Sequence, residues 1–315
     1  MGLGFPLFPE QASTMAERVD ALFFFLVAVS VFFAALISVL IVVFAIKYRR
    51  RSDDERPPAI EGDLRLEILW TVIPLGLTMI MFVWGAKLFF VTYDPPINSL
   101  EISVVAKQWM WKAQHPDGRS EINELHVPVG RPVKLILTSQ DVIHDFFVPA
   151  FRVKKDVLPG RYTTLWFQPT RAGEYHLFCA QYCGTQHSGM VGRIVVMEAV
   201  PYQDWLSGAS GGVSMASAGA KLFQSFGCSA CHVESDTARG PSLVGLFGKS
   251  IKLQGGRSAL ADESYVRESI LNPQAKLVSG YRPIMPTFKG LISEEDILQI
   301  LAYVKSLNRQ EGAQT

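Results

Sequence analysis

Residues 21–46 hold neither a charged side chain nor a proline. The stretch exceeds the roughly 20 apolar residues an α-helix needs to cross a bilayer. A second stretch, about 66–91, carries only Glu67 and Lys87 as charges, both near its ends. Pro74 and Gly76 lie inside it, and membrane helices tolerate both better than soluble ones do. Together the stretches predict a two-helix transmembrane hairpin embedded in lipid. Met1–Gln11 lacks a basic residue and the first run is long, so the expectation is a retained span, not a cleaved signal peptide. The loop between the runs contains Lys47, Arg49, Arg50, Arg51 and Arg56. The positive-inside rule places that loop in the cytoplasm and both termini outside. Glu67 has two readings. A carboxylate at a helix N-terminus is favoured by the dipole, and an acid at membrane depth marks a proton path.

Beyond about residue 94 the pattern changes to short apolar runs broken by Pro and Gly: Leu100–Ala106, Pro132–Thr138, Tyr162–Phe167, Gly173–Phe178 and Gly192–Val196. Runs of this length with turn signals between them predict an antiparallel β-barrel or sandwich. Within it lies Cys179-Ala-Gln-Tyr-Cys183-Gly-Thr-Gln-His187-Ser-Gly-Met190. Thiolates and a thioether are soft ligands and imidazole suits copper, so the loop selects copper over hard cations. Two thiolates from one loop can bridge a pair of copper ions. Zinc is the competing reading, and Met190 argues against it. His144, at the end of a strand-like run, is the best candidate for a further histidine ligand. His176 reads as a surface residue on a strand, and His115 and His126 as solvated residues in polar turns. No histidine lies in either apolar run. Any haem held by histidine within the bilayer must therefore belong to a partner.

Residues 201–216 are rich in Ser, Gly and Ala and read as a flexible linker. Next comes Cys228-Ser-Ala-Cys231-His232, the attachment signal of a c-type haem. All four cysteines thus fall in the two motifs, leaving none for a disulfide and none before Cys179 for an N-terminal lipid anchor. His232 would ligate the iron. Met285 is the only methionine after the motif and the candidate sixth ligand. A thioether raises the haem potential. Ser293–Leu307 reads as an amphipathic helix with Ser293 as its N-cap. Two redox centres on one membrane-anchored chain mean electron transfer. A net charge of +1 makes no case for nucleic acid.

The hairpin, Gln108-Trp109-Met110-Trp111, the phrase ending in His144 and the loop Cys179–Met190 resemble cytochrome c oxidase subunit II over roughly residues 15–200. Residues 217–315, with Gly219 and Phe223 on a first helix and Tyr303 on a last, resemble class I cytochromes c. The whole is similar to subunit II of a caa-type oxidase. The resemblance implies three parts: residues 1–93 with the hairpin, a cupredoxin-like domain over 94–200, and an all-α cytochrome c domain over 217–315. It implies two copper ions bridged by Cys179 and Cys183. His144 and Met190 would complete one copper, and His187 and the main-chain carbonyl of Gln181 the other. Trp109 matches the family's electron-entry tryptophan; Trp111 reads as barrel packing. Glu67 resembles the acid at the mouth of a proton channel, which fits proton translocation.

Two departures stand out. The family has Glu where Gln181 stands, and that side chain helps hold a magnesium or manganese ion at the subunit I interface. Gln keeps the carbonyl that copper needs but lacks the carboxylate for that ion. Met110 replaces a Tyr of the aromatic motif. The implied partners are oxidase subunits I and III and an external donor, cytochrome c or a quinol-oxidising complex. The implied place is the bacterial plasma membrane, with both redox domains on the periplasmic side. Two other readings fit parts of the pattern: subunit II of a copper-containing nitric oxide reductase, and a membrane-anchored copper assembly protein.

Overall fold

The structure is a computed structural model that describes residues 8–56, 62–208, 214–235 and 238–309. It divides into two units, one of residues 14–94 and one of residues 1–13 and 95–315.

The first unit is a pair of long helices, α1 (Thr14–Lys47) and α2 (Leu64–Tyr93). Both exceed the spans expected from the apolar runs, because polar turns extend them. Asp63 caps α2 by accepting from the Arg65 N–H, which satisfies one of the free donors at a helix start. Pro74 sits within α2. Large apolar side chains stand exposed along both helices, among them Phe32, Ile41, Val72 and Phe82. A helix that is apolar all round suits lipid. Phe25 and Trp84 meet across the pair, ring centroids 5.4 Å apart.

In the second unit ten strands form two five-stranded sheets. The strands are β1 (Leu100–Lys107), β2 (Met110–Gln114), β3 (Ser120–Ile122), β4 (Glu124–Pro128), β5 (Val133–Ser139), β6 (His144–Val148), β7 (Val153–Val157), β8 (Thr163–Phe167), β9 (Gly173–Cys179) and β10 (Val191–Met197). Their order is β3-β2-β1-β5-β8 in one sheet and β4-β10-β9-β6-β7 in the other. Alternating inward residues such as Ile102, Val104, Leu135, Leu137, Leu177 and Ile194 are fully buried, as a two-sheet core requires. The fold is cupredoxin-like. It departs from the purely antiparallel expectation in two places, since β1 pairs with β5 and β4 with β10 in parallel. Local alternation sets the faces of a strand but not its neighbour's direction.

A helix, α3 (Ala199–Ser207), follows β10 where the composition suggested a linker. The reason is tertiary. Trp205 stacks on His126 at 4.5 Å, with the Arg119 guanidinium 3.9 Å from its ring, and Tyr202 is buried. The rest of that Gly/Ser segment, 209–213, lies outside the described residues. The helical part comprises α4 (Met215–Ser225), a two-stranded ribbon β11 (Ser250–Lys252) and β12 (Ser258–Leu260), α5 (Glu263–Leu271) and α6 (Glu294–Ser306). The expected Ser293 cap is present as a full capping box with Asp296. α4 and α6 cross in contact at Gly219, where a Cβ would lie 1.9 Å from the Gln299 carbonyl oxygen. Only glycine fits that crossing.

Candidate metal centre and haem cavity

β6 and β9 pair with Phe146 opposite Cys179, which brings His144 at the start of β6 beside the end of β9. The chain then loops and returns through a turn at His187–Gly189, whose last bond runs from the Met190 N–H to the His187 carbonyl. The Cys179 N–H donates to the Met190 carbonyl at 3.2 Å and closes the loop. The donors therefore converge. The two Sγ atoms are 3.7 Å apart and unbonded. Cys179 Sγ is 3.9 Å from His144 Nδ1 and 3.2 Å from the Gln181 carbonyl oxygen. Cys183 Sγ is 3.5 Å from His187 Nδ1 and 3.8 Å from the Met190 sulfur. His144, Cys179 and Cys183 offer ligand atoms within 4.8 Å of one another, all from buried residues.

Burial alone would raise the Cys179 pKa. The His144 ring and nearby backbone N–H groups outweigh it and bring the thiol down to about 6. Burial and the Cys179 charge push Cys183 up to about 12. A cation between the two sulfurs would relieve that conflict, since thiolates are the ligating form. Soft sulfur donors with imidazole nitrogens and one carbonyl fit copper.

Asp141 and Gln108, to which the sequence assigned no role, orient this group together with Trp109. Asp141 Oδ1 lies 2.9 Å from His144 Nε2, leaving Nδ1 toward the sulfurs. Asp141 also accepts from the Gln108 N–H at 2.7 Å. Gln108 Nε2 and Trp109 Nε1 both donate to the Cys183 carbonyl, at 2.8 and 3.2 Å. Trp111 is buried against His144 and Phe146, as expected of a packing residue. The bonds made by Gln108 and Trp109 link residues 33 to 75 positions apart, so no local pattern carries them, whereas Asp141 and His144 are three residues apart.

Two histidines depart from expectation. His115 is fully buried, its Nε2 2.7 Å from Glu121, and His126 bonds the other oxygen of the same carboxylate. Burial would raise the Glu121 pKa, but those bonds hold it at about 2. His176 is exposed, as read.

The helical part encloses a cavity of about 350 Å³, lined among others by Phe223, Leu243, Val266, Ile300 and Val304. Cys228, Cys231, His232 and Met285 all line it, so the four predicted haem residues come together. His232 Nδ1 lies 2.8 Å from the Pro241 carbonyl oxygen, which orients the ring. A Cβ at Gly240 would come within 2.9 Å of that ring, so the imidazole needs a glycine beside it. An apolar cradle lined by two thiols, an imidazole and a thioether fits a covalently held haem.

The comparisons with known proteins agree. Residues 1–88 match the transmembrane domain of cytochrome c oxidase subunit II, 119–200 its periplasmic domain, and 216–308 cytochrome c. A cytochrome c oxidase subunit 2 of Alkalihalophilus pseudofirmus is 33% identical over 303 residues, covering 90% of this chain and 86% of the relative. The chain belongs to the cytochrome c oxidase subunit II family. A second subunit 2, from Synechocystis, is 30% identical over 64% of this chain and 75% of its own length. The crystal structure of the periplasmic domain of a Bradyrhizobium japonicum subunit II is 32% identical over 37% of this chain and 96% of that one, with a TM-score of 0.36. Family membership makes this subunit II, with its cytochrome c domain, a membrane-anchored part of a haem–copper terminal oxidase.

Proposed function

We propose that this subunit takes electrons at the outer face of the membrane and delivers them to the oxygen-reducing subunit I. The observation that carries the reading is the convergence of Cys179, Cys183, His144, His187, Met190 and the Gln181 carbonyl about one pair of sulfurs. When bound, the haem and a copper pair supply one-electron carriers at these two sites. Cys179, Cys183, His144, His187, Met190 and the Gln181 carbonyl would hold the copper pair. Asp141 holds the His144 ring, so little rearrangement accompanies a change of charge. Trp109, bonded to the Cys183 carbonyl, provides the entry contact. In the helical part Cys228 and Cys231 would tether the haem, His232 and Met285 would hold its iron, and the apolar walls would exclude water. Glu67, in the first turn of α2, stands at the mouth of a proton path of subunit I.

On this reading the basic loop after α1 lies in the cytoplasm, and both termini and both redox domains lie on the periplasmic side of a bacterial plasma membrane. The donor is a cytochrome c or a quinol-oxidising complex. The purified complex is expected to contain two copper ions and one c-type haem per chain and to consume oxygen. A complex with zinc in place of copper, or one that reduces nitric oxide and not oxygen, would refute the reading.

A further inference from the structure

β1, β2 and β5 turn one face away from the barrel interior. On a strand, side chains alternate faces, so Glu101, Val105, Lys112, Lys134 and Ile136 share it. That face is covered by the helical part of the same chain. Val105, Ile136 and Tyr162 belong to one buried apolar cluster with Ile297, Leu298 and Leu301 of α6.

Two groups of ion pairs flank this cluster. At the start of β1 and β5, Lys134 Nζ is 3.2 Å from both Glu101 and Glu263, and Lys305 Nζ is 2.5 Å from Glu101 and 2.9 Å from Glu263. Further along, Lys112 Nζ is 2.6 Å from Glu295, while Arg267 pairs with Glu294 and donates to the Gly160 carbonyl. Burial alone would lower the Lys134 pKa, and Glu101 and Glu263 outweigh it and raise it. Partly buried pairs are screened by salt much less than exposed ones.

The register shows which way the helical part points. β5 runs from Lys134 to Ser139, and five residues later the chain reaches His144. Ser139 meets Leu158 and Pro159, so Gly160 stands at the His144 end. α5 therefore runs from Glu263 beside Lys134 toward Arg267 beside Gly160. α6 starts at that same end with Glu294 and returns to Lys305 beside Glu101. The connection 272–293, which carries Met285, thus emerges at the His144 end. Val266, Ile300 and Val304 of the same two helices line the haem cavity.

Resting on the electron-transfer reading above, we propose that the haem domain works from this docked position. The two groups of ion pairs set its register on the β1–β5 face, and the electron leaves on the 272–293 side toward Trp109. The groups stand about 13 Å apart along β1, four residues at roughly 3.3 Å each, so they resist rotation as well as separation. One electron is lost by the haem iron and one gained by the copper pair; no bond forms or breaks. A domain held only by a flexible tether needs proximity. A docked one needs these charges.

The purified oxidase complex tests this directly. A water-soluble carbodiimide joins a carboxylate to an amine in contact and adds no spacer. Mass spectrometry of treated enzyme should find Lys112 joined to Glu295 and Lys305 joined to Glu101. Absence of both peptides would overturn the docked position. The double variant Glu263→Lys with Glu295→Lys should slow haem-to-copper transfer after photoinjection of an electron by roughly tenfold, because attractions become repulsions. Adding Lys112→Glu and Lys134→Glu should restore most of the rate. An unchanged rate in the double variant would show that transfer does not use this pose. Copper and haem contents measured on the same samples separate the premise: cross-linked enzyme without copper would remove the electron step and leave only the contact.

Discussion

The Trp109 indole N–H donates to the Cys183 carbonyl at 3.2 Å. The ring is thus bonded to the backbone of a residue whose own sulfur lies among the converging donors of Cys179, His187 and Met190. Trp109→Phe keeps an aromatic ring and removes the bond, whose net worth is about 1 kcal/mol. We expect copper content to hold, a slightly lower Tm, and slower electron entry. Stopped-flow reduction of the copper site, with its absorption followed, checks this. An unaltered entry rate would show that the ring is packing only.

Met285 reaches the cavity from the connection between α5 and α6. Met285→Ala should lower the haem c potential, because a thioether ligand raises it. The haem should stay attached through Cys228 and Cys231. Potentiometric titration decides the first point and denaturing gel haem stain the second. An unchanged potential would exclude Met285 as ligand.

Glu121 contributes to the acid sensitivity of the barrel. Its pKa is about 2 in the folded protein against an ordinary 4.5. A depressed carboxylate contributes stability above its unfolded value, and loses it as pH falls through 4.5 toward 2. The shift corresponds to roughly 3 kcal/mol. Thermal unfolding across pH 7 to 2 should show this loss, and Glu121→Gln should flatten it while costing stability at pH 7. A variant with the parental acid profile would contradict the assignment.

Gly219→Ala would push a methyl group into the Gln299 carbonyl of α6. Overpacking of this kind costs typically 1–3 kcal/mol and sometimes more. We expect poor haem incorporation and a lowered Tm for the helical part, with the copper absorption retained. Normal haem content and Tm would mean that the helices separate at little cost.

Much of this protein is written in local pattern. The two spans follow from uninterrupted apolar length, because lipid leaves a backbone no other partner. The Cys179–Met190 loop and the Cys228–His232 motif hold their candidate ligands within a dozen residues, so spacing alone points to them. The Ser293 cap is likewise a matter of neighbouring residues. His144 and Met285 were reachable as well, one by its place after a strand and the other by elimination. What local pattern could not supply was anything made by distant segments meeting. Gln108 orients the site through bonds to Asp141 and Cys183 that only the folded sheets create. His115 and His126 looked solvated because their neighbours are polar, yet both bond one carboxylate that the fold places between them. Residues 201–207 looked like linker until Trp205 found a surface to stack on. The docking of the helical part is the largest such case. Its ion pairs join residues as far apart as Glu101 and Lys305, and each charge by itself reads as ordinary solvated surface. Sequence determines what each segment can be; the fold alone decides which segments meet, because that choice is made by burial and by charges brought together across the whole chain.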